Sequence, residues 1–300
     1  MISSLGQMVD KVLSSGKRYR VAVAWAHDKN SVGALYRAAR DGLVEPVMIG
    51  IPERINEICK SMSLDPALFP IIPAVSETEA CAMAVSLTAI GETDIVMKGL
   101  TATDKFLKEV MDKENGIMIP GAVLSYVCAI EIPSYHKLLF ITDPAVIPFP
   151  NLDQKIAMAE YAVDMAERFG ISKPRLALIG ASEKMSHHFE SLADYAVMCK
   201  MADRGQIKNC IMDGPLDLFL ACDRKSPGIK GVETPVNGDA DILLFPSLES
   251  SNPFYKGLML FAQGELAGLI RGTIKPVIVM SRSESENSKY YCIALACLMT

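Results

Sequence analysis

Short apolar runs alternate with longer helical patterns along the whole chain. The runs predicted to be strands span residues 20–26, 45–50, 69–75, 94–99, 137–143, 175–180, 209–214, 240–246, 265–272 and 275–281. Most of them are apolar throughout rather than alternating, which is typical of parallel strands that are covered on both faces. The pattern therefore predicts an α/β fold with right-handed crossovers.

Two helices and one change of pattern organise the chain further. Ser76 and Glu79 have capping-box spacing at the start of one predicted helix. Asn151 is the expected N-cap of a longer helix that ends at Gly170. Between 131 and 150 the sequence predicts two strands and a proline-rich loop without a helix, so we expect a domain boundary there.

Length, charge and composition narrow the classes of function. Three hundred residues, half of them apolar, are enough for two domains with a cleft between them. A net charge of -5 argues against nucleic acid as a partner and favours a small anionic ligand held by a few residues. The eight cysteines contain no C-x-x-C pair, which is typical of reduced thiols in the cytoplasm. No apolar segment approaches the ~18 residues of a membrane span, and no signal peptide is evident.

The first candidate for a binding site follows the strand at 94–99. Lys98 and Gly99 come at its end, and Thr101 and Thr103 follow at a predicted helix start. In a doubly wound sheet ligands bind beyond the carboxyl ends of the strands, so this group is suited to an anion. The alternative is a solvated lysine followed by an ordinary threonine cap.

Two further strand ends carry polar candidates. Asp213 precedes Gly214 and Pro215 in a predicted tight turn, where it could orient a ligand or only form the turn. Asn252 is a predicted helix N-cap, with Lys256 in the first turns of that helix. The simpler alternative for this second pair is a cap and a surface lysine.

The last strand is followed by Ser281, Arg282 and Glu284. Capping boxes formed by Ser281 with Glu284, or by Ser283 with Glu286, would explain the serines and the acids. They do not explain Arg282, because the positive end of a helix dipole disfavours a cation unless an anion is bound there.

Motifs for other chemistries are missing from the sequence. It contains no G-x-G-x-x-G, no G-x-x-x-x-G-K-[ST] and no G-x-S-x-G, which argues against a Rossmann-type dehydrogenase, a P-loop enzyme and an α/β-hydrolase. His187 and His188 are adjacent but have no further ligand set, so no metal site is predicted.

Five segments occur here in the order that the phosphate acetyl/butyryltransferase family shows. They are "KGLTATDKFL" (98–107), "KLLFITD" (137–143), "RGQIKNCIMDGPL" (204–216), "SSNPFYK" (250–256) and "SRSESENSKYYCIALA" (281–296). The chain therefore resembles this family, and it looks more like the butyryltransferase branch.

The resemblance implies a fold similar to isocitrate and isopropylmalate dehydrogenases, with two doubly wound α/β domains and an active site in the cleft. One domain would comprise residues 1–132 and 272–300, and the other residues 133–271. The implied reaction is acyl-CoA plus phosphate giving acyl phosphate plus CoA, with butyryl or a similar short acyl group. The implied enzyme is a homodimer or higher homo-oligomer without a metal or redox cofactor, and CoA is its substrate.

The resemblance also implies roles for individual residues. Ser281 and Arg282 match the family's "SR" pair, which would bind phosphate and stabilise the developing oxyanion. The substrate-binding residues would be Lys98, Gly99, Thr101, Thr103, Asp213, Asn252 and Lys256.

The sequence departs from the family at the general base and at one small residue. The two branches place an aspartate three or seven residues after the serine, where this chain has Glu284 and Ser288. Glu284 is the first candidate for the base and Glu286 the second. A glycine of the family is replaced by Ser251, which could reshape the site. A phosphate acetyltransferase and a non-catalytic protein that binds CoA or acyl phosphate remain the alternatives.

Overall fold

The computed structural model describes residues 1–281 and 284–300, and their fold is mixed α/β. The strands are β1 Tyr19–Ala24, β2 Val44–Gly50, β3 Ile71–Pro73, β4 Ile95–Lys98, β5 Ser125–Glu131, β6 Leu139–Thr142, β7 Arg175–Ile179, β8 Ile211–Leu216, β9 Ile242–Leu244, β10 Glu265–Arg271 and β11 Val277–Ile278. The helices are α1 Leu5–Leu13, α2 Lys29–Arg40, α3 Pro52–Ser61, α4 Glu77–Ala89, α5 Thr103–Val110, α6 Leu152–Arg168, α7 Ser191–Asp203, α8 Leu218–Cys222, α9 Ser226–Lys230, α10 Leu248–Phe261 and α11 Glu286–Met299, with a 3₁₀ turn at Pro66–Leu68.

The chain forms two compact units. The terminal unit comprises residues 5–124 and 266–300, so both ends of the chain contribute to it. Its strands follow the order β3-β2-β1-β4-β11-β10, and all neighbours are parallel except β10 and β11. β1 and β4 lie inside this sheet; β4 is fully buried and β1 is buried from Val21 to Ala24. Helix α11 packs beside α1 and α2.

The central unit comprises residues 1–4 and 125–265. Its strands follow the order β5-β6-β9-β7-β8, with β5 antiparallel to β6 and the other neighbours parallel. Helix α6 packs on β5, β6 and β9. Its C-cap residue, Phe169, meets Phe140 of β6 edge to face at 5.2 Å. The domain boundaries at 132 and 272 stay a prediction.

Each of the ten predicted runs contains or overlaps a strand, but two pairs of neighbouring strands depart from the parallel arrangement that the apolar runs predict. β10 and β11 are joined by a short connection from Gly272 to Pro276, and β5 and β6 by the helix-free segment 132–138. Connections this short cannot carry a parallel crossover, so both pairs are antiparallel.

The two helix starts that the sequence predicts most directly are confirmed. The hydroxyl of Ser76 accepts a hydrogen bond from the Glu79 amide at 3.2 Å, and α4 begins at Glu77. Asn151 and Gln154 form a reciprocal capping box at the start of α6. All eight cysteines are free, and five of them are buried. Among the described residues, no helix is both long and apolar enough to cross a membrane.

Candidate active site

The carboxyl ends of β1, β4 and β11 lie at one edge of the terminal unit. β4 pairs in parallel with β1 on one side, where Ala24 is opposite Lys98, and with β11 on the other, where Ile278 is opposite Met97. Residues that follow neighbouring parallel strands meet at the same edge of a sheet. The structure therefore brings the Lys98 segment and the Ser281 segment to a common edge.

Lys98 ends β4 and is buried, with 4% of its surface exposed. Its Nζ donates hydrogen bonds to the carbonyl oxygens of Gly99 at 3.2 Å and Thr101 at 3.0 Å. The alternative of a solvated lysine is wrong, because the side chain folds back under the loop that follows its own strand. A buried ammonium at a strand end is a fixed positive charge from which much of the water has been removed.

Gly99 allows the loop to lie directly against β1. A Cβ at this position would come 2.5 Å from the carbonyl oxygen of Trp25, so any residue other than glycine would clash with the backbone. The amides of Gly99 and Leu100 each donate at 2.9 Å to the carbonyls of Ala24 and Trp25, respectively. The end of β1 therefore fixes the backbone of the Lys98 loop.

The two threonines of this segment occupy different environments. Thr101 is fully buried, and its hydroxyl donates to the carboxylate of Glu77 at 3.4 Å. Thr103 is exposed and is the first residue of α5. It does not cap the helix, because Ala102 is the N-cap residue. The alternative of a threonine cap is therefore wrong, and Thr103 presents its side chain to solvent.

The segment after β11 does not have the predicted cap. α11 begins at Glu286, and its N-cap is Ser285, whose hydroxyl accepts from the Ser288 amide at 2.9 Å. The Glu284 amide donates instead to the Ser281 carbonyl at 3.3 Å. Ser281 is exposed and Glu284 is partly buried. Arg282, and the alternative box of Ser283 with Glu286, lie outside the described residues.

The two candidate bases occupy different positions relative to α2. The backbone carbonyl of Glu284 accepts from Asn30 Nδ2 at 3.4 Å. The carboxylate of Glu286 lies over Gly33, where an added Cβ would approach Oε2 to 2.6 Å. Glu286 is exposed and Glu284 is partly buried, so their positions do not change the order in which the two acids are candidates for the base.

Asp213 lies in the central unit, but the predicted turn around it is wrong. It is an interior residue of β8, which continues through a cis Gly214–Pro215 bond to Leu216. β8 is at the end of the strand order, where a proline without an N–H group is tolerated. The next helix, α8, begins after this strand and is capped by Asp217. The carboxylate of Asp213 accepts from the Gly214 amide at 2.9 Å.

Asn252 is also not the cap that the sequence predicts. α10 begins earlier, at Leu248, with Ser247 as its N-cap, so Asn252 lies within the helix. Its Nδ2 donates to the carbonyl of Pro144 at 2.8 Å. Lys256 is exposed and follows one helical turn later, on the same face of α10. The structure therefore places Asn252 beside the loop after β6, with Lys256 one turn further along the same face of α10.

Ser251, which replaces a glycine of the family pattern, is fully buried. Its Oγ donates to the carbonyl of Asp143 at 2.6 Å and also lies 3.0 Å from the Ser247 carbonyl. The carboxylate of Asp143 in turn accepts from the amides of Tyr126, Ala145 and Val146. The hydroxyl of Ser251 thus links α10 by a hydrogen bond to a loop that the Asp143 carboxylate also holds within the central unit.

Sequence reasoning missed one buried ion pair beside the Ser281 segment. Lys289 Nζ lies 3.0 Å from Asp28 Oδ1 and 3.1 Å from the hydroxyl of Ser31. Burial raises the pKa of Asp28, but the charge of Lys289 and hydrogen bonds from Ser31 outweigh this, and its pKa is below the ordinary value. The only signal in the sequence was the lysine of the motif "SRSESENSK". Among the described residues, no cluster of three His, Cys, Asp or Glu side chains could hold a metal ion.

The chain matches known proteins over its whole length. Residues 73–297 match the family described as "Phosphate acetyl/butaryl transferase". A phosphate butyryltransferase of Clostridium acetobutylicum is 36% identical over 100% of this chain and 99% of its own length. A phosphate acetyltransferase of Thermotoga maritima is also 36% identical, over 95% of this chain and 96% of its own.

A solved structure agrees with the sequence matches. The branched-chain phosphotransacylase of Enterococcus faecalis V583 superposes with a TM-score of 0.83 at 27% identity, covering 93% of this chain and 99% of its own. This chain belongs to the phosphate acetyl/butyryltransferase family of acyltransferases.

Proposed function

We propose that this chain catalyses the reversible transfer of a short acyl group, butyryl or similar, between CoA and inorganic phosphate. The observation that carries the proposal is that buried Lys98 ends β4 and that the Ser281 segment follows β11, the adjacent parallel strand of the terminal unit. A fixed positive charge and a hydroxyl at one sheet edge suit a phosphoryl group, and the chain belongs to a family of phosphate acyltransferases.

In this proposal the terminal unit binds the phosphoryl group. Ser281 and Arg282 hold the phosphate oxygens and stabilise the oxyanion that forms on the acyl carbonyl. Lys98 supplies a second positive charge, and Gly99 lets its loop lie close to β1. The exposed hydroxyl of Thr103 is available to the phosphoryl group, and buried Thr101 stabilises the Lys98 loop through its hydrogen bond to Glu77.

The chemical step requires a base for the thiol of CoA. Glu284 accepts the thiol proton, the thiolate attacks the carbonyl carbon of the acyl phosphate, and the C–O bond to phosphate breaks as the thioester forms. Phosphate leaves as an anion that the arginine stabilises. In the reverse direction phosphate attacks the thioester and the thiolate recovers its proton.

The central unit contributes Asp213, Asn252 and Lys256 to substrate binding in this proposal. Asn252 and Lys256 share one face of α10, and Lys256 is exposed and positively charged. Such a group suits the phosphates of CoA. The hydroxyl of Ser251 is hydrogen-bonded inside the unit, which supports retained activity despite the replaced glycine.

The test is phosphate-dependent release of CoA. Incubation with butyryl-CoA and phosphate should liberate free thiol, and omission of phosphate should abolish the release. A panel of acetyl-, butyryl- and isobutyryl-CoA distinguishes a phosphate acetyltransferase from the proposed enzyme. Thermal stabilisation by CoA without turnover of any thioester would select the non-catalytic alternative.

Other features of the family pattern stay predictions for this chain. They are the cytoplasmic location, the homodimeric or larger assembly, and the arrangement as two doubly wound domains. We also propose that the reaction needs no metal or redox cofactor, so prolonged dialysis against a chelator should leave the rate unchanged.

A further inference from the structure

A buried ion pair joins the start of α11 to the start of α2. The side chain of Lys289 is 4% exposed and that of Asp28 is 20% exposed, and their charged atoms lie 3.0 Å apart. The same oxygen of Asp28 accepts from the Ser31 amide at 2.8 Å, so one carboxylate caps α2 and neutralises the lysine of α11. Burying such a pair costs desolvation energy, which only well-fixed geometry repays.

Three more contacts continue along the same two helices. Asn30 Nδ2 donates to the Glu284 carbonyl at 3.4 Å, and Arg37 Nη1 donates to Asn287 Oδ1 at 2.8 Å. Gly33 leaves room for the carboxylate of Glu286. From its first turn to its last, α2 therefore contacts residues that follow the candidate phosphate-binding pair closely in sequence.

The connection that leads into α2 also holds the Lys98 loop. The carbonyls of Ala24 and Trp25 accept from the amides of Gly99 and Leu100, each at 2.9 Å. Asp28 follows only a few residues later and anchors Lys289. One short stretch of chain, residues 24–31, thus contacts both segments at the proposed phosphate-binding edge.

We propose that Lys289 and Asp28 are positioning residues for acyl transfer: their ion pair fixes the start of α11 and thereby sets Ser281 and Glu284 relative to the Lys98 loop. The inference rests on the proposed function, and neither residue needs to contact substrate. Catalytic groups must be held within about 0.5 Å of their productive positions by the side chains around them, so loosening this pair should slow the reaction.

The chain offers a matched control in the central unit. Lys155 is also 4% exposed and its Nζ lies 2.6 Å from Asp194, which joins α6 to α7. Lys289→Met and Lys155→Met should both lower the melting temperature. At a temperature where both are fully folded, only Lys289→Met should lose at least about tenfold in kcat, with a smaller change in KM for acyl-CoA. A wild-type kcat for Lys289→Met, or an equal loss in Lys155→Met, would overturn the proposal.

A double variant separates position from stability. Asp28→Asn with Lys289→Met removes both charges while Asn still caps α2, so the melting temperature should recover in part and kcat should stay low. A kcat that recovers together with stability would show that the pair serves folding alone. If Lys289→Met does not fold, Asp28→Asn takes its place with the same expectation for kcat.

Failure of the proposed function gives a different result, because the wild type would then release no CoA. In that case amide hydrogen exchange tests whether the ion pair positions the two segments. The amides of Glu284 and Leu100 should exchange faster in Lys289→Met than in the wild type and in Lys155→Met. Unchanged exchange at both amides would reject the positioning role without reference to activity.

Discussion

A cation just before a helix start is opposed by the helix dipole unless an anion neutralises it. Arg282 has this position in the sequence, shortly before α11 begins at Glu286. We expect Arg282→Ala to lower kcat/KM by about 10²–10³-fold, as the loss of a group that stabilises developing charge does. The kcat/KM of Arg282→Lys should lie between those of the wild type and Arg282→Ala, because lysine keeps the positive charge but lacks the planar guanidinium group.

The control for this prediction is Arg168→Ala, which removes an exposed arginine from the end of α6 in the central unit. Its rate should match the wild type. Steady-state thiol release at varied phosphate concentration measures both variants. A wild-type kcat/KM for phosphate in Arg282→Ala would show that Arg282 does not bind phosphate or stabilise the transition state.

The identity of the base is a second question for single residues. Glu284→Gln should reduce kcat by about 10²-fold or more, because an amide cannot accept the thiol proton. Glu286→Gln should stay within a few-fold of the wild type if Glu284 is the base, since Glu286 then only lies beside Gly33 of α2. Rates measured from acidic to alkaline pH identify the base, because its removal should abolish the acidic limb of the profile. The opposite ranking of the two variants would assign the base to Glu286.

Among the secondary-structure elements, the ten apolar runs contain or overlap ten of the eleven strands of the described residues, and β5 lies outside them. The runs succeed because apolar residues of strand length are a local signal. The errors fall where several local solutions are nearly equal in energy. The stretch from Ser281 to Ser288 contains four serines, and any of three spacings could start a helix. Contacts with α2, which are distant in sequence, decide that Ser285 is the cap.

The same reason explains the wrong start of α10. Ser247 and Asn252 are both good N-cap residues, and Pro253 at the next position favours a start at Asn252. Hydrogen bonds from Ser251 and Asn252 to the loop after β6 stabilise the longer helix. Non-local contacts of this kind leave no mark in local propensity, and the Asp28–Lys289 pair was missed for the same reason.

Two serine variants test whether capping of α11 and phosphate binding depend on different serines. Ser285→Ala removes the N-cap of α11 and should cost about 0.5–2 kcal/mol in the free energy of unfolding. Ser281→Ala removes an exposed hydroxyl that does not cap the helix, so its stability should change little while kcat/KM for phosphate falls. Urea unfolding and thiol release on both proteins give the comparison. Equal loss of stability in the two would mean that Ser281 supports the helix.

For the whole molecule, the net charge does not favour anionic substrates, so individual positive side chains must bind them. With a formal charge of -5 the protein repels anionic substrates at long range, so binding depends on a few cations held at strand and helix ends. Lys98 is such a cation, and its burial shields it from salt. Family and reaction class could be read from ordered motifs, whereas the acyl preference depends on residues that are far apart in sequence.

The preference for one acyl chain length over another is a property of the complete enzyme, and it gives a further prediction. The chain aligns from end to end with a phosphate butyryltransferase and superposes on a branched-chain phosphotransacylase, so we expect a pocket longer than acetyl requires. Butyryl exceeds acetyl by two methylenes, and at ~0.8 kcal/mol for each buried methylene the gain is ~1.6 kcal/mol, or roughly 15-fold. The ratio of kcat/KM for butyryl-CoA to that for acetyl-CoA should therefore exceed about ten.

Isobutyryl-CoA adds a second measurement on the same enzyme. A pocket with width as well as length should accept it at a rate comparable to butyryl-CoA, whereas a narrow pocket should reject the branch because overpacking is also costly. A ratio of butyryl to acetyl near or below one would instead place this chain with the acetyl-specific members, since the Thermotoga maritima phosphate acetyltransferase is 36% identical as well. The acyl panel thus separates two branches that overall identity does not distinguish.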